Sequence, residues 1–258
     1  MRLDSSFDVT GRRILVTGAT RGIGAHLARR LCELGASVAL CGRSTEDLEQ
    51  QAAALREVAT GAVITVAMDV RDVASVRTAV AAAIAGLGGL DGLVNNAGVN
   101  IRKKALQFSE EDWDTVVDTD LKGAFFVAQA AGEWMCGQGR GAIVNIASVG
   151  GHVALRTGTA YAAAKAGVIH MTRSLACEWA SQGVRVNALG PWYFRTPLTE
   201  PLLADPAYLA DILARTPMGR VGELDELVGP TVFLLSDAAS YVTGQTLLVD
   251  GGMGVYGF

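Results

Sequence analysis

Tyr161 and Lys165 stand four residues apart in the segment TAYAAAKAG, so on a helix both side chains leave the same face about one turn apart. Lysine is scarce in this chain. Of 22 basic residues four are lysines (Lys103, Lys104, Lys122, Lys165), and Lys165 sits alone in an Ala-rich stretch. A phenol titrates near ~10, and acting as an acid or base close to neutrality asks for roughly 3 to 4 kcal/mol of preferential stabilisation of the phenolate. A neighbouring ammonium acts in that direction. The same pair in isolation also describes an ordinary solvated helix face, so its surroundings decide what it does.

A second chemical signal is TGATRGIG, residues 17–24, between an apolar run and a helical pattern. Gly18, Gly22 and Gly24 let the backbone turn sharply and approach a ligand closely, while the helix N-terminus offers unpaired N–H groups and a positive dipole end. Thr20, Arg21 and Ile23 share this loop. The spacing is GxxxGxG, not GxGxxG, but strand, loop and helix are all in place, which points to a bound nucleotide. After the second apolar run the chain reads CGRS, placing Gly42 and Arg43 where an acid would accept from a ribose 2′-hydroxyl. Arg43 and Arg21 suit a 2′-phosphate instead, so the expected cofactor is NADP(H).

Positioning such groups takes a regular frame. Seven short apolar runs, RILVT (13–17), SVALC (37–41), AVITVA (62–67), GLVNN (92–96), AIVNIA (142–147), VRVNAL (184–189) and TLLVD (246–250), read as strands, mostly continuous as strands covered on both faces should be. Helical patterns near 22–34, 44–59, 72–86, 110–137, 160–181 and 223–235 alternate with them. Ser44 and Asp72 are expected N-caps, and Gly35 and Gly61 are expected helix stops. The alternation predicts an α/β doubly wound, Rossmann-type three-layer sandwich with a seven-stranded parallel sheet, as one domain over 1–258. Residues 191–223 hold five of the six prolines and read as a long irregular substrate loop.

Composition narrows the function. The 258 residues are 50% hydrophobic and 19% charged, which excludes disorder, collagen and coiled coil. A formal charge of −4 supplies no basic field, so nucleic acid is not an expected partner. Cys32, Cys41, Cys136 and Cys177 lie far apart and read as reduced, mostly buried hydrophobes. His26, His152 and His170 are equally dispersed, and no metal site is expected. No apolar stretch reaches 18 residues and the N-terminal MRLDSSFDVTGRR has no apolar core, so no membrane association is expected and the cytoplasm is the expected compartment.

With the glycine loop, NNAG at 95–98, and Ser148 followed by YAAAK at 161–165, the chain resembles the short-chain dehydrogenase/reductase family. The resemblance runs nearly end to end, through MDV at 68–70, Asn187-x-x-x-Pro191, Thr196 and VDGG at 249–252. The segments 100–113 and 191–203 look most like tropinone-reductase-like members, with sugar-acid dehydrogenases of the gluconate and deoxygluconate type next. The resemblance implies that Asp69 and Val70 border an adenine, that Asn95 helps hold the central strand, and that Asn96, Ala97 and Gly98 line the cofactor. It further implies cofactor contacts from Pro191, Trp192, Phe194 and Thr196, besides Tyr161 and Lys165.

On the same footing, Tyr161 would donate a proton to a carbonyl oxygen as a hydride reaches its carbon, and Ser148 would hold that oxygen. Lys165 would favour the phenolate and bind the nicotinamide ribose. Asp120 departs from the pattern, standing where the family commonly has an asparagine that holds a water near the lysine. An ionised carboxylate accepts but cannot donate, favours a charged Lys165 and partly cancels the positive field at Tyr161. A merely local capping or pairing role is the other reading of Asp120.

For the substrate, Ser148, Gly150, His152, Tyr161, Trp192 and Tyr193 are the expected contacts, with Asn100, Ile101 and residues 156–159 nearby. Trp192 replaces a usual glycine, and with Tyr193 and Phe194 it would make an apolar wall with polar handles. Arg102, Lys103, Lys104, Arg156 and Arg195 would suit a carboxylate if any points inward. The leading expectation is an NADPH-dependent enzyme reversibly reducing a bulky ketone to a secondary alcohol. A sugar-acid or polyol dehydrogenase using NAD(P) is the alternative, and a non-catalytic NADP-binding module is the competing class. The resemblance also implies a homotetramer, packed through the helices at 110–137 and 160–181, with the C-terminal VYGF near another interface.

Overall fold

The computed structural model describes residues 3–256. All seven apolar runs are strands: β1 (Arg13–Thr17), β2 (Ser37–Gly42), β3 (Val63–Ala67), β4 (Gly92–Asn95), β5 (Gly141–Ile146), β6 (Val184–Pro191) and β7 (Thr246–Val249). They pair in parallel in the order β3-β2-β1-β4-β5-β6-β7. The five interior strands are buried at nearly every position, whereas the edge strands β3 and β7 are only partly covered. That is why the interior runs show no polar alternation.

The helices are α1 (Leu3–Ser6), α2 (Gly22–Glu33), α3 (Thr45–Arg56), α4 (Val73–Leu87), α5 (Glu110–Val117), α6 (Ala124–Gln138), α7 (Thr159–Trp179), α8 (Glu200–Leu203), α9 (Pro206–Ala214) and α10 (Val228–Leu235). Successive β1 residues face opposite ways: Ile14 and Val16 join Leu27, Leu31, Leu48 and Leu234 from α2, α3 and α10 in one core. Leu15 joins Val76, Val80, Val127, Met135 and Leu175 from α4, α6 and α7 in the other. Three layers result. Among the described residues, no helix is long and apolar enough to cross a membrane.

Caps follow local chemistry. Ser44 accepts from the Asp47 N–H at 3.2 Å and Asp72 from the Ala74 N–H at 2.9 Å, while Gly35 stops α2 at φ +86°. Gly61 is no helix stop, because α3 ends at Arg56. A Cβ on Gly61 would meet the Ala36 carbonyl oxygen at 2.7 Å, so the glycine serves close passage of the chain past the start of β2. The helical stretch at 110–137 is broken by a π-helical turn, Asp118–Gly123, between α5 and α6. The stretch 191–223 is also more ordered than its prolines imply: β6 extends through Pro191, and α8 and α9 follow. Asp205 caps α9 with Pro206 in its first turn, a pairing of start signals.

The four cysteines are free; Cys32 and Cys41 are buried, Cys136 is half-buried and Cys177 is exposed, so half of them and not most are buried. Burial pushes the Cys41 thiol up to about 12, which keeps it unreactive. Of the C-terminal VYGF, Gly257 and Phe258 lie outside the described residues.

Candidate active site

Strand order reverses its direction of winding between β1 and β4, and a crevice at the carboxyl ends of the strands follows from that topology. A cleft of about 420 Å³ opens there. Gly18 and Gly22 adopt φ +64° and +60°, conformations that side chains disfavour. The loop is stitched to the end of β4, since the amides of Asn96 and Ala97 both donate to Thr17 Oγ1 at 2.9 Å and Asn96 Nδ2 donates to the Thr17 carbonyl at 2.9 Å.

α2 opens on this cleft from Arg21, which makes no side-chain capping bond, in contrast to the capped starts of α3 and α4. An uncapped N-terminus behind a left-handed glycine turn is a cradle suited to a phosphate, so these residues fit a dinucleotide. Arg21 and Arg43 both line the cleft and form no salt bridge among the described residues. Asp69 is held below the usual carboxylate range mainly by its hydrogen bond with Arg71, 3.0 Å away, against a smaller upward push from burial.

Ser148 follows β5, and its Oγ accepts from the Gly150 N–H at 3.0 Å. Tyr161 lies in the first turn of α7 and Lys165 in the second, with Nζ 5.5 Å from the Tyr161 ring centre. Lys165 is buried and donates to the Ile146 carbonyl at 3.0 Å. Its Nζ also stands 3.2 Å from Oδ2 of Asp120, which is fully buried in the π-helical turn. Asp120 Oδ1 accepts from the Val99 N–H at 2.7 Å, but Oδ2 has no hydrogen bond of good geometry. Burial raises the Asp120 carboxyl above its ordinary range against the pull of Lys165. Burial is the largest single influence on the Lys165 ammonium and works against it, but Asp120 and Tyr161 together prevail and hold that group above its ordinary value. The lysine therefore stays charged.

Comparisons with known proteins agree with this architecture. A family model described as enoyl-(acyl carrier protein) reductase, of the short-chain dehydrogenase type, matches residues 18–254. Gluconate 5-dehydrogenase of Gluconobacter oxydans is 44% identical over 250 residues, covering 96% of this chain and 97% of that protein. The chain belongs to the short-chain dehydrogenase/reductase family. A tropinone reductase homolog of Arabidopsis thaliana is 40% identical, covering 100% of this chain and 98% of the relative. The crystal structure of a gluconate 5-dehydrogenase from Burkholderia cenocepacia in complex with NADP and tartrate superposes with a TM-score of 0.95 at 40% identity, covering 98% and 99% of the two chains.

As a member of this family the chain is an oxidoreductase. Most residues expected at its site line one cleft: Gly18, Thr20, Arg21, Gly22, Ile23, Arg43, Asp69, Val70, Asn96, Ala97, Gly98, Asp120, Ser148, Tyr161, Lys165, Pro191, Trp192, Tyr193, Phe194 and Thr196. Three do not. Gly24 sits behind the loop, where a Cβ would meet the Gly18 carbonyl oxygen at 2.3 Å, so its role is close packing. Gly150 lies under Leu155 and acts on the site through its N–H to Ser148. His152 ends the short 3₁₀ turn Val149–Gly151 and is not part of the cleft lining.

Of the five basic residues near the expected substrate side, Arg102 alone lines the cleft. Lys103, Arg156 and Arg195 pair with Asp112, Asp211 and Glu200 at the surface, and Lys104 is exposed. The sequence reading missed Arg71, Leu155 and Thr199, which also line the cleft. Thr199 Oγ1 accepts from the Thr196 N–H at 3.0 Å and so shapes the turn that carries Thr196. A threonine three residues on is a turn signal that was available in the sequence.

Proposed function

We propose that this protein reversibly reduces a ketone to a secondary alcohol, with Tyr161 as proton donor and NADP(H) as the redox partner. The observation that carries this reading is the convergence of Ser148, Tyr161 and the buried Lys165 in the cleft that the glycine loop enters. NADP(H) is the cofactor, in keeping with relatives whose structures contain NADP and with two cleft arginines, Arg21 and Arg43, that form no salt bridge among the described residues. When bound, the reduced nicotinamide supplies the hydride.

The chain's own residues do the rest. Ser148 Oγ already accepts from Gly150, which leaves its O–H to donate to the substrate oxygen. Tyr161 gives its phenolic proton to that oxygen. Lys165, anchored on the Ile146 carbonyl and held charged by Asp120, favours the phenolate left behind. Gly18 and Gly22 shape the turn from which the first N–H groups of α2 would take the dinucleotide phosphates. Arg21 and Arg43 would clamp the 2′-phosphate.

A cytoplasmic homotetramer is part of the same proposal. Trp113 and Trp134 are exposed on α5 and α6, and Leu247 is exposed on the edge strand β7. Two separate apolar faces suit the two interfaces of a dimer of dimers.

The test is equilibrium binding of NADPH and NADH, then NADPH oxidation with cyclic ketones and keto-sugar acids. A strong NADPH preference with turnover on one of these groups is expected. NADPH binding with no turnover on any ketone, and no effect of Tyr161→Phe, would leave a binding module without catalysis.

A further inference from the structure

Arg12, Arg13, Arg140 and Arg185 meet at the end of the sheet opposite the cleft. Arg12 and Arg13 lead into β1, Arg140 precedes β5, and Arg185 is the second residue of β6, beside Ala142 of β5 in the parallel register. Together they line a hollow of about 480 Å³ at the amino ends of the strands, where the carboxylates among the lining residues are Asp91 and Asp237. Four guanidiniums facing two carboxylates leave an excess of two positive charges, in a chain whose formal charge is −4. Gly11 and Gly183, at φ +71° and +77°, line the hollow without side chains and leave it open.

The two carboxylates do not occupy all the N–H donors, five to each guanidinium. Arg13 is fully committed: its Nε and Nη2 donate to Asp91 at 2.7 and 2.8 Å and its Nη1 to the Gly88 carbonyl. Arg140 approaches the same carboxylate only to 3.4 Å, and its guanidinium makes no hydrogen bond of good geometry among the described residues. Arg12 gives one bond, from Nη2 to the exposed Asp237 at 2.6 Å. Arg185 has no carboxylate within salt-bridge distance among the described residues. It donates to the Leu234 and Ser236 carbonyls at 2.8 and 3.0 Å, bonds that fix the guanidinium in place and leave its charge uncancelled. Burial first, and then the charge of Arg12, push this guanidinium below its ordinary value, with Asp237 opposing. The fold therefore holds like charges near one another, an arrangement that a bound anion relieves.

We propose that this hollow binds a phosphate group, with Arg12, Arg140 and Arg185 as its donors. An excess of two positive charges matches a divalent oxyanion, whereas chloride or a single carboxylate would cancel half of it. Planar N–H forks arriving from β1, β5 and β6 suit a tetrahedral acceptor whose oxygens point in several directions. A nucleic-acid strand is not the occupant, because the basic residues form one concave spot and not a stripe on a chain of negative net charge. The site is separate from the cofactor cleft and does not depend on the proposed ketone chemistry. Bound phosphate would tie the starts of three strands together and stabilise the folded state by mass action.

The experiment titrates inorganic phosphate by calorimetry into the protein saturated with NADPH, so that the cofactor's own phosphate cradle is filled. Ionic strength is held constant with chloride at mildly alkaline pH. One site per chain is expected, with Kd on the order of 1 mM, the strength of a few charge-assisted hydrogen bonds net of immobilisation. Arg140→Gln should weaken binding by about 5- to 10-fold. Asp237→Asn should tighten it by about threefold, because it removes the carboxylate that competes for Arg12, and a merely structural role for the cluster would not produce that gain. Arg77→Gln, exposed on α4 and outside the hollow, should change nothing. Phosphate should also raise the melting temperature of the NADPH complex where chloride at equal ionic strength does not. Glycerol phosphate titrated alongside distinguishes the source: weaker binding than inorganic phosphate points to the free ion, tighter binding to an ester. Heats no different from chloride would overturn the proposal, as would binding that Arg140→Gln and Asp237→Asn leave unchanged or that Arg77→Gln weakens equally. Arg140 and Asp237 are exposed, and melting of each variant without phosphate checks that its fold is intact.

Discussion

Lys165 Nζ lies 3.2 Å from Asp120 Oδ2, joining two charges 45 positions apart in the chain, with the carboxylate fully buried and the ammonium nearly so. The contact depends on the π-helical turn at Asp118–Gly123, which places Asp120 inward between two regular helices. Because Asp120 raises the pKa of Lys165 against the opposing effect of burial, removing its charge should let the ammonium titrate earlier. We predict that Asp120→Asn stays active but that the alkaline limb of its pH–rate profile moves to lower pH by about one pH unit. Superimposable profiles would show that the position is electrically silent.

Tyr161→Phe should lower kcat by roughly 10² to 10⁴-fold, the range of a lost general acid, with NADPH affinity changed by less than about threefold. Single-turnover kinetics and a fluorescence titration measure the two. Unaltered kcat would remove Tyr161 from the chemistry.

Arg43→Ala should weaken NADPH binding by about 10- to 100-fold and leave NADH binding nearly as it was, since NADH lacks the 2′-phosphate. Calorimetric titration with both dinucleotides decides this. An equal loss for both would place Arg43 on another part of the cofactor or in the fold.

Two glycines should respond in opposite senses to the same substitution. A Cβ at Gly24 would meet the Gly18 carbonyl oxygen at 2.3 Å and Asn96 Nδ2 at 2.4 Å, so Gly24→Ala must displace the cofactor loop and should cost about 2 kcal/mol or more. Gly137 in α6 has nothing within 4 Å of its Cβ position. Gly137→Ala should stabilise by up to about 1 kcal/mol through helix propensity and a less disordered unfolded chain. Chemical denaturation reads both, and a destabilised Gly137→Ala would refute the second.

Asp91 accepts from the backbone N–H of Arg13 at 3.0 Å and from its Nε at 2.7 Å, pinning the start of β1. Burial pushes this carboxyl up, yet the Arg13 hydrogen bonds prevail and hold it below its ordinary value of 3.8. A depressed carboxylate pKa stabilises the fold above the unfolded value and loses that contribution as pH falls through the folded one. Asp91→Asn should therefore cost about 2 kcal/mol at pH 7, and the gap to the wild type should close below pH ~3.8. A gap of constant size across that range would show that shape, not charge, is what Asp91 contributes.

Sheet and cofactor loop were legible because their signals are local. Interior strands such as SVALC carry no polar alternation, and TGATRGIG joins a strand to a helix within eight residues. The misreadings arose where local signals were ambiguous. Gly61 resembled a helix stop but answers to the Ala36 carbonyl just before β2, 25 residues earlier in the chain, and the prolines at 191–223 masked the Asp205–Pro206 start of α9.

By itself the sequence determined the alternation of strands and helices, the shared helix face of Tyr161 and Lys165, and the glycine turn, since each depends on sterics and periodicity within a few residues. Tertiary structure alone decided which charges meet. It brought Asp120 to Lys165, turned Arg102 into the cleft, paired Arg156 with Asp211 at the surface and left His152 outside the cleft lining. Those outcomes depend on how distant elements pack and on which buried charge finds a partner, quantities that no short window of residues contains.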